Sequence, residues 1–200
     1  MFTGIITHKG TITKATRSVL EVRLPRQGRG ALLKKLAHGG SIAVDGTCLT
    51  VVSKTADSFS ADIMPETVER TTLGKMKRDD EVNLELPATP TTFLSGHVVQ
   101  GHVDGIGKVK NIRARGTSHI VEIAVPRALM PYIVPKGSVA VNGVSLTVIS
   151  VSASGFTVGI IPHTWEETAF SHLSPGSQVN IETDVFAKYA EKLIKAKKKS

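Results

Sequence analysis

A stretch that occurs twice constrains this chain more than any other feature. It reads GSIAVDGTCLTV from Gly40 to Val51 and GSVAVNGVSLTV from Gly137 to Val148, with eight of twelve positions identical. Unrelated sequence would match at about one position in twelve, since even common residue types each supply only about 7% of proteins. The copies lie 97 residues apart, and the same offset carries Gly4 to Gly101, Gly10 to Gly107 and Glu69 to Glu166. It also carries Pro65-Glu66-Thr67 to Pro162-His163-Thr164, and VNLE from Val82 to VNIE from Val179. Between about residues 16 and 40 the register slips by four and then recovers. Such a period exceeds the roughly 20–50 residues of solenoid repeats, so the chain reads as two tandem globular domains of ordinary small size. A pocket built by one half is then built in related form by the other, and the molecule can hold two similar ligands.

With 40% hydrophobic content, 200 residues sustain two small cores. No apolar run approaches the roughly 18 residues of a membrane span. The opening MFTGIITHKG lacks a basic segment followed by an apolar one, which predicts no signal peptide. A single cysteine, Cys48, excludes an intrachain disulfide and fits a reducing cytoplasm. The net charge of +8 falls to +3 without the five tail lysines Lys192, Lys195, Lys197, Lys198 and Lys199. No basic stripe interleaved with aromatics remains, so nucleic acid is not the expected partner, and the tail reads as a solvated end.

Periodicity and turn chemistry give each half five or six short strands and one small helix. Residues 5–24 predict two strands with a turn near Thr16–Ser18, and Ala31–Ala37 a short amphipathic helix stopped by Gly39-Gly40. Ser41–Ser53 predicts a hairpin about Asp45-Gly46. Strands at Phe59–Met64 and Glu81–Leu86 flank a turn or helix from Pro65 to Arg70. The Pro- and Thr-rich segment Pro87–Thr92 marks the boundary between domains at 1–88 and 98–184. The second half repeats the order: strands through Val98–Ile112 and His119–Val125, a helix near Arg127–Tyr132, then strands at Phe156–Ile161 and Gln178–Thr183. The predicted fold class is all-β, two tandem duplicated barrels of six strands. From Asp184, a plausible N-cap, Val185, Phe186, Tyr189, Leu193 and Ile194 fall at helical spacing. The first half has no such helix, so 185–200 is expected to be an oligomerisation helix with a basic tail.

Few residues declare chemistry by themselves. Cys48 and Ser145 occupy the same place in the twin stretch, two residues after a glycine, where a side chain can enter a pocket. A buried cysteine is usually a small apolar residue, but the serine opposite it has no apolar motive. A thiol with a pKa of about 8.5 needs a basic partner to become a nucleophile, and none is adjacent in sequence. His97, His102 and Asp104 lie in GHVVQGHVDG, whose spacing matches no common zinc site. Alternation would place His102 and Asp104 on one strand face. Asp62, Glu66 and His163 are the other ionisable candidates, the last two sharing one position after the same proline. A Pro-x-Thr turn at a strand end offers the donors that a planar polar ring uses.

Six segments in this order resemble one family. The opening MFTGII, the twin stretch with CLTV, MPETVERTTLG, GHVVQGHVDG, the second SLTV and the IPHT turn together resemble riboflavin synthase, from Met1 to about Leu193. The resemblance implies two six-stranded Greek-key barrels with a C-terminal helix, assembled through that helix as a homotrimer, with lumazine synthase as a further partner. It implies that two molecules of 6,7-dimethyl-8-ribityllumazine dismutate without cofactor or metal, giving riboflavin and 5-amino-6-(D-ribitylamino)uracil. The two would meet between the first barrel of one subunit and the second barrel of its neighbour.

Carried onto this sequence, the ligand contacts of the first half would be Gly4, Ile5, Ile6, Cys48, Leu49, Thr50, Asp62, Ile63, Met64, Pro65, Glu66 and Thr67. Those of the second would be Gly101, His102, Val103, Lys136, Ser145, Leu146, Thr147, Gly159, Ile160, Ile161, Pro162, His163 and Thr164. Phe2, Ser41, Cys48, His97, His102 and Ser145 match positions tied to activity. His102, or water ordered by it, would assist removal of a C7-methyl proton, and Cys48 or Ser145, or water held by them, would add to a ring carbon. One departure stands out. The family pattern has Asn in the first twin stretch and Asp in the second, whereas this chain has Asp45 and Asn142, which bears on which barrel plays which role. The alternative reading is a lumazine or flavin carrier of the same ancestry, needing only one competent barrel; the intact second-half motifs favour the enzyme.

Overall fold

A computed structural model describes residues 1–197; Lys198 and Lys199 of the lysine tail lie outside the described residues. The first half forms β1 (His8–Ala15), β2 (Val19–Arg23), β3 (Ser41–Val44), β4 (Thr47–Lys54), β5 (Ser58–Asp62) and β6 (Glu81–Glu85), with α1 (Arg29–Lys35) and α2 (Pro65–Arg70). The second forms β7 (Gly105–Arg115), β8 (Ser118–Ala124), β9 (Ser138–Val141), β10 (Val144–Val151), β11 (Gly155–Ile160) and β12 (Gln178–Thr183), with α3 (Pro162–Glu167) and α4 (Val185–Lys197). Each half closes into an antiparallel barrel, in the order β1-β2-β5-β4-β3-β6 and its equivalent β7-β8-β11-β10-β9-β12. Successive hairpins join β3, β4 and β5 while β2 lies beside β5, which is Greek-key order.

Strand alternation fills each core. Along β4, Leu49 and Val51 point inward and are buried, while Cys48 is half-buried and Thr50 exposed on the outer wall. Along β10, Leu146 and Val148 point inward, and Ser145 and Thr147 outward. This period of two explains why a serine can replace Cys48: neither side chain belongs to a barrel interior. Two separate cores result, one about Phe59 and Leu84, the other about Phe156 and Ile181. No helix among the described residues is long and apolar enough to cross a membrane.

The barrels meet across an approximate twofold axis that pairs equivalent residues. Phe2 and Val99 form an antiparallel bridge, with N–H to O distances of 2.7 and 3.1 Å. The hairpin tips touch there too. Asp45 and Asn142 both sit at φ 44°, with Gly46 and Gly143 at 76° and 78°, the twice left-handed backbone of a tight hairpin. A Cβ on Gly46 would stand 2.6 Å from the Gly143 nitrogen, so each tip needs its glycine. Around them, Asp45 Oδ1 accepts from the Asn83 N–H at 2.8 Å and Asn142 Oδ1 from the Asn180 N–H at 2.7 Å. The asparagines then cross the interface: Asn83 Nδ2 donates to the Asn142 carbonyl and Asn180 Nδ2 to the Asp45 carbonyl, each at 2.9 Å.

Two expectations need correction. The strand expected over Val98–Ile112 begins only at Gly105, and the shared strand face of His102 and Asp104 does not exist. Gly101 adopts φ 82°, a left-handed conformation that ends alternation, and the segment crosses to the other barrel instead. The short helix expected near Arg127–Tyr132 is present over those residues, as a 3-10 helix.

Helix α4 is fastened by polar contacts. Asp184 Oδ1 accepts from the Phe186 N–H at 2.9 Å, Lys188 Nζ lies 2.6 Å from Asp104, and the Tyr132 hydroxyl donates to Glu191 at 2.6 Å. Its apolar residues Phe186, Tyr189, Leu193 and Ile194 are 59–71% exposed.

Candidate active site

Each barrel lends the segment before its first strand to the outer wall of the other. The Cys48 N–H donates to the Gly101 carbonyl at 2.9 Å, and the equivalent Ser145 N–H donates to the Gly4 carbonyl at 2.8 Å. These crossovers are close. A Cβ on Gly101 would stand 2.5 Å from Cys48 Cβ, and one on Gly4 2.6 Å from Ser145 Cβ; φ is also left-handed at both, +82° and +75°. Only glycine meets both demands. Phe2, Val99, Ala43 and Ala140 form a small apolar cluster beneath, with Cys48 packed against it.

Two buried carboxylates hold the crossovers in place, and sequence reasoning missed them. Glu85 accepts from Thr3 N–H and Oγ1, both at 2.7 Å, and from the Gly4 N–H at 3.0 Å. Glu182 accepts from the Gln100, Gly101 and His102 N–H groups at 2.6, 2.9 and 3.0 Å. Burial pushes both carboxyls upward, Glu182 to about 7, against the hydrogen bonds that favour the charged form. Their signal was a repeated acid at the end of VNLE and VNIE, inside strands otherwise buried.

Two equivalent composite surface regions follow, the candidate clefts. In the first barrel, Val51 lies opposite Ala61, which brings Cys48–Thr50 alongside Asp62–Thr67 at one end of the wall, beside Gly101–Val103. In the second, Val148 lies opposite Val158, which brings Ser145–Thr147 alongside Gly159–Thr164, beside Gly4–Ile6. Met64 and Ile161, equivalent residues capping α2 and α3, are 69% and 57% exposed, apolar surfaces on which a planar ring can lie. Thr50, Asp62, Pro65, Glu66 and His163 are exposed, and Thr67, Pro162 and Thr164 half-buried. Lys136 is exposed, its backbone left-handed at φ 67°. Leu49, Ile63, Leu146 and Ile160 turn their side chains into the cores, so they can offer a ligand only backbone atoms.

The clefts are not equal. His97 Nδ1 lies 2.7 Å from Ser145 Oγ, and burial holds this imidazole below its ordinary pKa, against a smaller opposing pull from Asp184. A neutral imidazole whose Nδ1 carries no proton can accept the hydrogen bond of the Ser145 hydroxyl. Nothing comparable touches Cys48 among the described residues. His102 is exposed on the crossover beside it, and Ser41, opposite Thr50 on β3, is half-buried. Asp45 and Asn142 lie in neither cleft but at the contact between hairpin tips.

The family model described as the lumazine binding domain matches this chain twice, over residues 3–87 and 100–184. A riboflavin synthase from Photobacterium phosphoreum is 42% identical over 194 residues, 97% of this chain and 89% of the relative. One from Mycobacterium bovis is 40% identical over 200 residues, 98% of this chain and 99% of the relative. Among solved structures, LumP complexed with riboflavin superposes with a TM-score of 0.84 at 26% identity, covering 92% of this chain and 99% of that one. LumP complexed with 6,7-dimethyl-8-(1'-D-ribityl) lumazine gives a TM-score of 0.82 at 25% identity, with the same coverage.

Proposed function

This chain belongs to the riboflavin synthase family of lumazine-binding proteins, and from that premise we propose how its two clefts act. The reaction is the formation of riboflavin: one 6,7-dimethyl-8-ribityllumazine passes a four-carbon unit to another and leaves as 5-amino-6-(D-ribitylamino)uracil. Each cleft takes one lumazine. The ring lies against Met64 or Ile161 and meets the backbone of the crossover and the Thr67 or Thr164 turn. Aligning two reactants removes roughly 7–11 kcal/mol of barrier by itself.

Within the second cleft, Ser145, its proton taken by His97, adds to a ring carbon or holds the water that does. His102 serves the first cleft as the base for a C7-methyl proton, next to the Cys48 thiol. Phe2 and Ser41 position the wall on which Cys48 stands. The observation that carries this reading is the pair of equivalent crossovers, each lying on the other barrel's wall at a residue bearing a thiol or a hydroxyl, Cys48 or Ser145.

Two lumazines must also face each other, and the exposed apolar side of α4 suits assembly of three copies, so that the first cleft of one meets the second of the next. The lone Cys48 thiol suits the cytoplasm, where lumazine synthase would supply the substrate. LumP complexes with lumazine and riboflavin give a carrier reading its basis. Identity of 42% to a riboflavin synthase against 25–26% to LumP favours the enzyme.

The test mixes purified protein with 6,7-dimethyl-8-ribityllumazine and no added cofactor. Riboflavin and the pyrimidinedione in equal amounts are expected. Tight binding of one ligand per chain without turnover would establish the carrier.

A further inference from the structure

At the far end of the first barrel, away from both clefts, two adjoining cavities of about 410 and 500 Å³ share Arg23 and Asp57 in their walls. Arg26 and Arg29 line the first, and Lys14, Arg78 and the carboxylate of Glu21 the second. Asp57 precedes β5 and Asp62 of the cleft ends it, so about 3.3 Å per residue separates the two places by roughly 16 Å along the wall. None of these five cations forms an ion pair among the described residues. Arg29 donates one Nη2 bond to the Leu24 carbonyl at 2.9 Å, and its buried Nε has no partner. Five cations against the two carboxylates Asp57 and Glu21 leave both cavities with an excess of positive charge, greatest in the first, where Arg23, Arg26 and Arg29 face Asp57 alone, and such an excess favours an anion among them.

The duplication supplies an internal control. Val22 faces Phe59 as Ile123 faces Phe156, so β2 and β8 superpose with Arg23 on Ala124. Lys14 falls on Asn111, Asp57 on Ser154 and Arg78 on Pro175. Between Pro25 and Gly40 the first half has four more residues than the second has between Pro126 and Gly137, and Arg29 lies in this longer segment. Only Arg26 has a cationic counterpart, Arg127. The barrel therefore closes without these cations, and its construction does not account for them.

Guanidinium groups bind phosphate oxygens through paired charge-assisted hydrogen bonds. Asp57 would repel a bare anion at the shared wall but accepts hydrogen bonds, so it selects a ligand that also carries hydroxyls. The combined space suits a sugar-sized body. We propose that this end of the first barrel binds a small polyhydroxylated phosphate ester, its phosphate held by Arg23, Arg26 and Arg29 and its hydroxyls by Asp57.

The test is titration calorimetry of the full chain with ribose 5-phosphate at fixed ionic strength, with ribose and inorganic phosphate as comparators. One saturable ribose 5-phosphate site per chain is expected, tighter than either comparator. R26Q/R29Q should weaken it by roughly tenfold or more, and R127Q should leave it unchanged. D57N should weaken ribose 5-phosphate and tighten inorganic phosphate. Arg26 makes no hydrogen bond among the described residues, so R26Q alone carries the comparison if the double variant unfolds. Absence of saturable binding, or equal loss in R127Q, overturns the proposal, the latter reducing it to the general attraction of a basic protein. Lumazine turnover should survive R26Q/R29Q, which separates this site from the clefts.

Discussion

Asp45→Asn should stabilise this protein at neutral pH although it removes a charge that accepts a hydrogen bond. Burial raises the Asp45 carboxyl from 3.8 to about 7; the hydrogen bond from the Asn83 N–H opposes this and the charge of Asp80 adds to it. The folded state therefore binds this proton more tightly than the unfolded chain does. Between about pH 4 and 7 the folded state holds more protons, so stability falls as pH rises through that window. The contribution is fully present below about pH 4 and lost above about 7. A difference of about 3 units corresponds to roughly 4 kcal/mol, a large share of the 5–15 kcal/mol that typical domains possess. The second barrel shows that the amide suffices, since Asn142 Oδ1 accepts from Asn180 in the same geometry at 2.7 Å and the same φ of 44°. Urea unfolding of wild type and D45N, at one protein concentration, should give a gap of up to about 4 kcal/mol at pH 8 that closes by pH 4. Wild type and variant should both keep the fall due to Glu182, whose carboxyl burial also raises to about 7. A gap independent of pH, or a variant less stable than wild type at pH 8, would refute the reasoning.

Gly101→Ala sets a Cβ 2.5 Å from Cys48 Cβ in left-handed backbone, and should cost roughly 2–5 kcal/mol. Gly116→Ala, left-handed at φ 60° with no atom within 4 Å, should cost only about 1–2 kcal/mol, and equal losses of Tm would deny the close crossover. Ser145→Ala should lower kcat by about 10²–10⁴, with His97→Gln alike and the double variant little worse than either, because the pair acts as one unit. Additive losses would dissolve the pair. His102→Gln with unchanged turnover would remove that imidazole from the proposed bases. Phe186→Glu with Leu193→Glu, both exposed on one chain, should leave the barrels folded while abolishing assembly and turnover; sedimentation showing the trimer intact would refute the role given to α4.

The duplication made most of the fold legible. Alternating β-branched runs punctuated by Asp45-Gly46 and Asn142-Gly143 marked the hairpins, because these dipeptides accept left-handed backbone. Asp184 marked the start of α4 by the capping bond it makes. What stayed hidden lies between the halves. Gly4 owes its position to Ser145 and Gly101 to Cys48, each far away in sequence on the other barrel's wall, and a glycine carries no pattern that announces such an approach. His97 and Ser145 are 48 residues apart, so no local spacing joins them. Val98–Asp104 alternates like a strand, but the left-handed Gly101 and the hold of Glu182 turn it across the interface. Asp45 and Asn142 drew notice as an exchanged pair, and only the contact between hairpin tips gives them a structural role.

Two separate copies of one barrel could supply two related clefts, but those clefts would be identical. The reaction asks more. One lumazine must lose a proton and gain carbanion character while the other accepts a bond, and identical surroundings would favour neither role. Joining the barrels in one chain lets matched positions diverge while the shared scaffold keeps them in register. The Glu85 and Glu182 clamps and the hairpin tips keep their geometry in both halves. Within the clefts Thr50 and Thr147, Pro65 and Pro162, and Thr67 and Thr164 still match, while Cys48 stands against Ser145, Ile5 against His102, and Glu66 against His163. On the proposed reading, the matched positions keep the two halves in register, and the differing ones are where donor and acceptor roles would part.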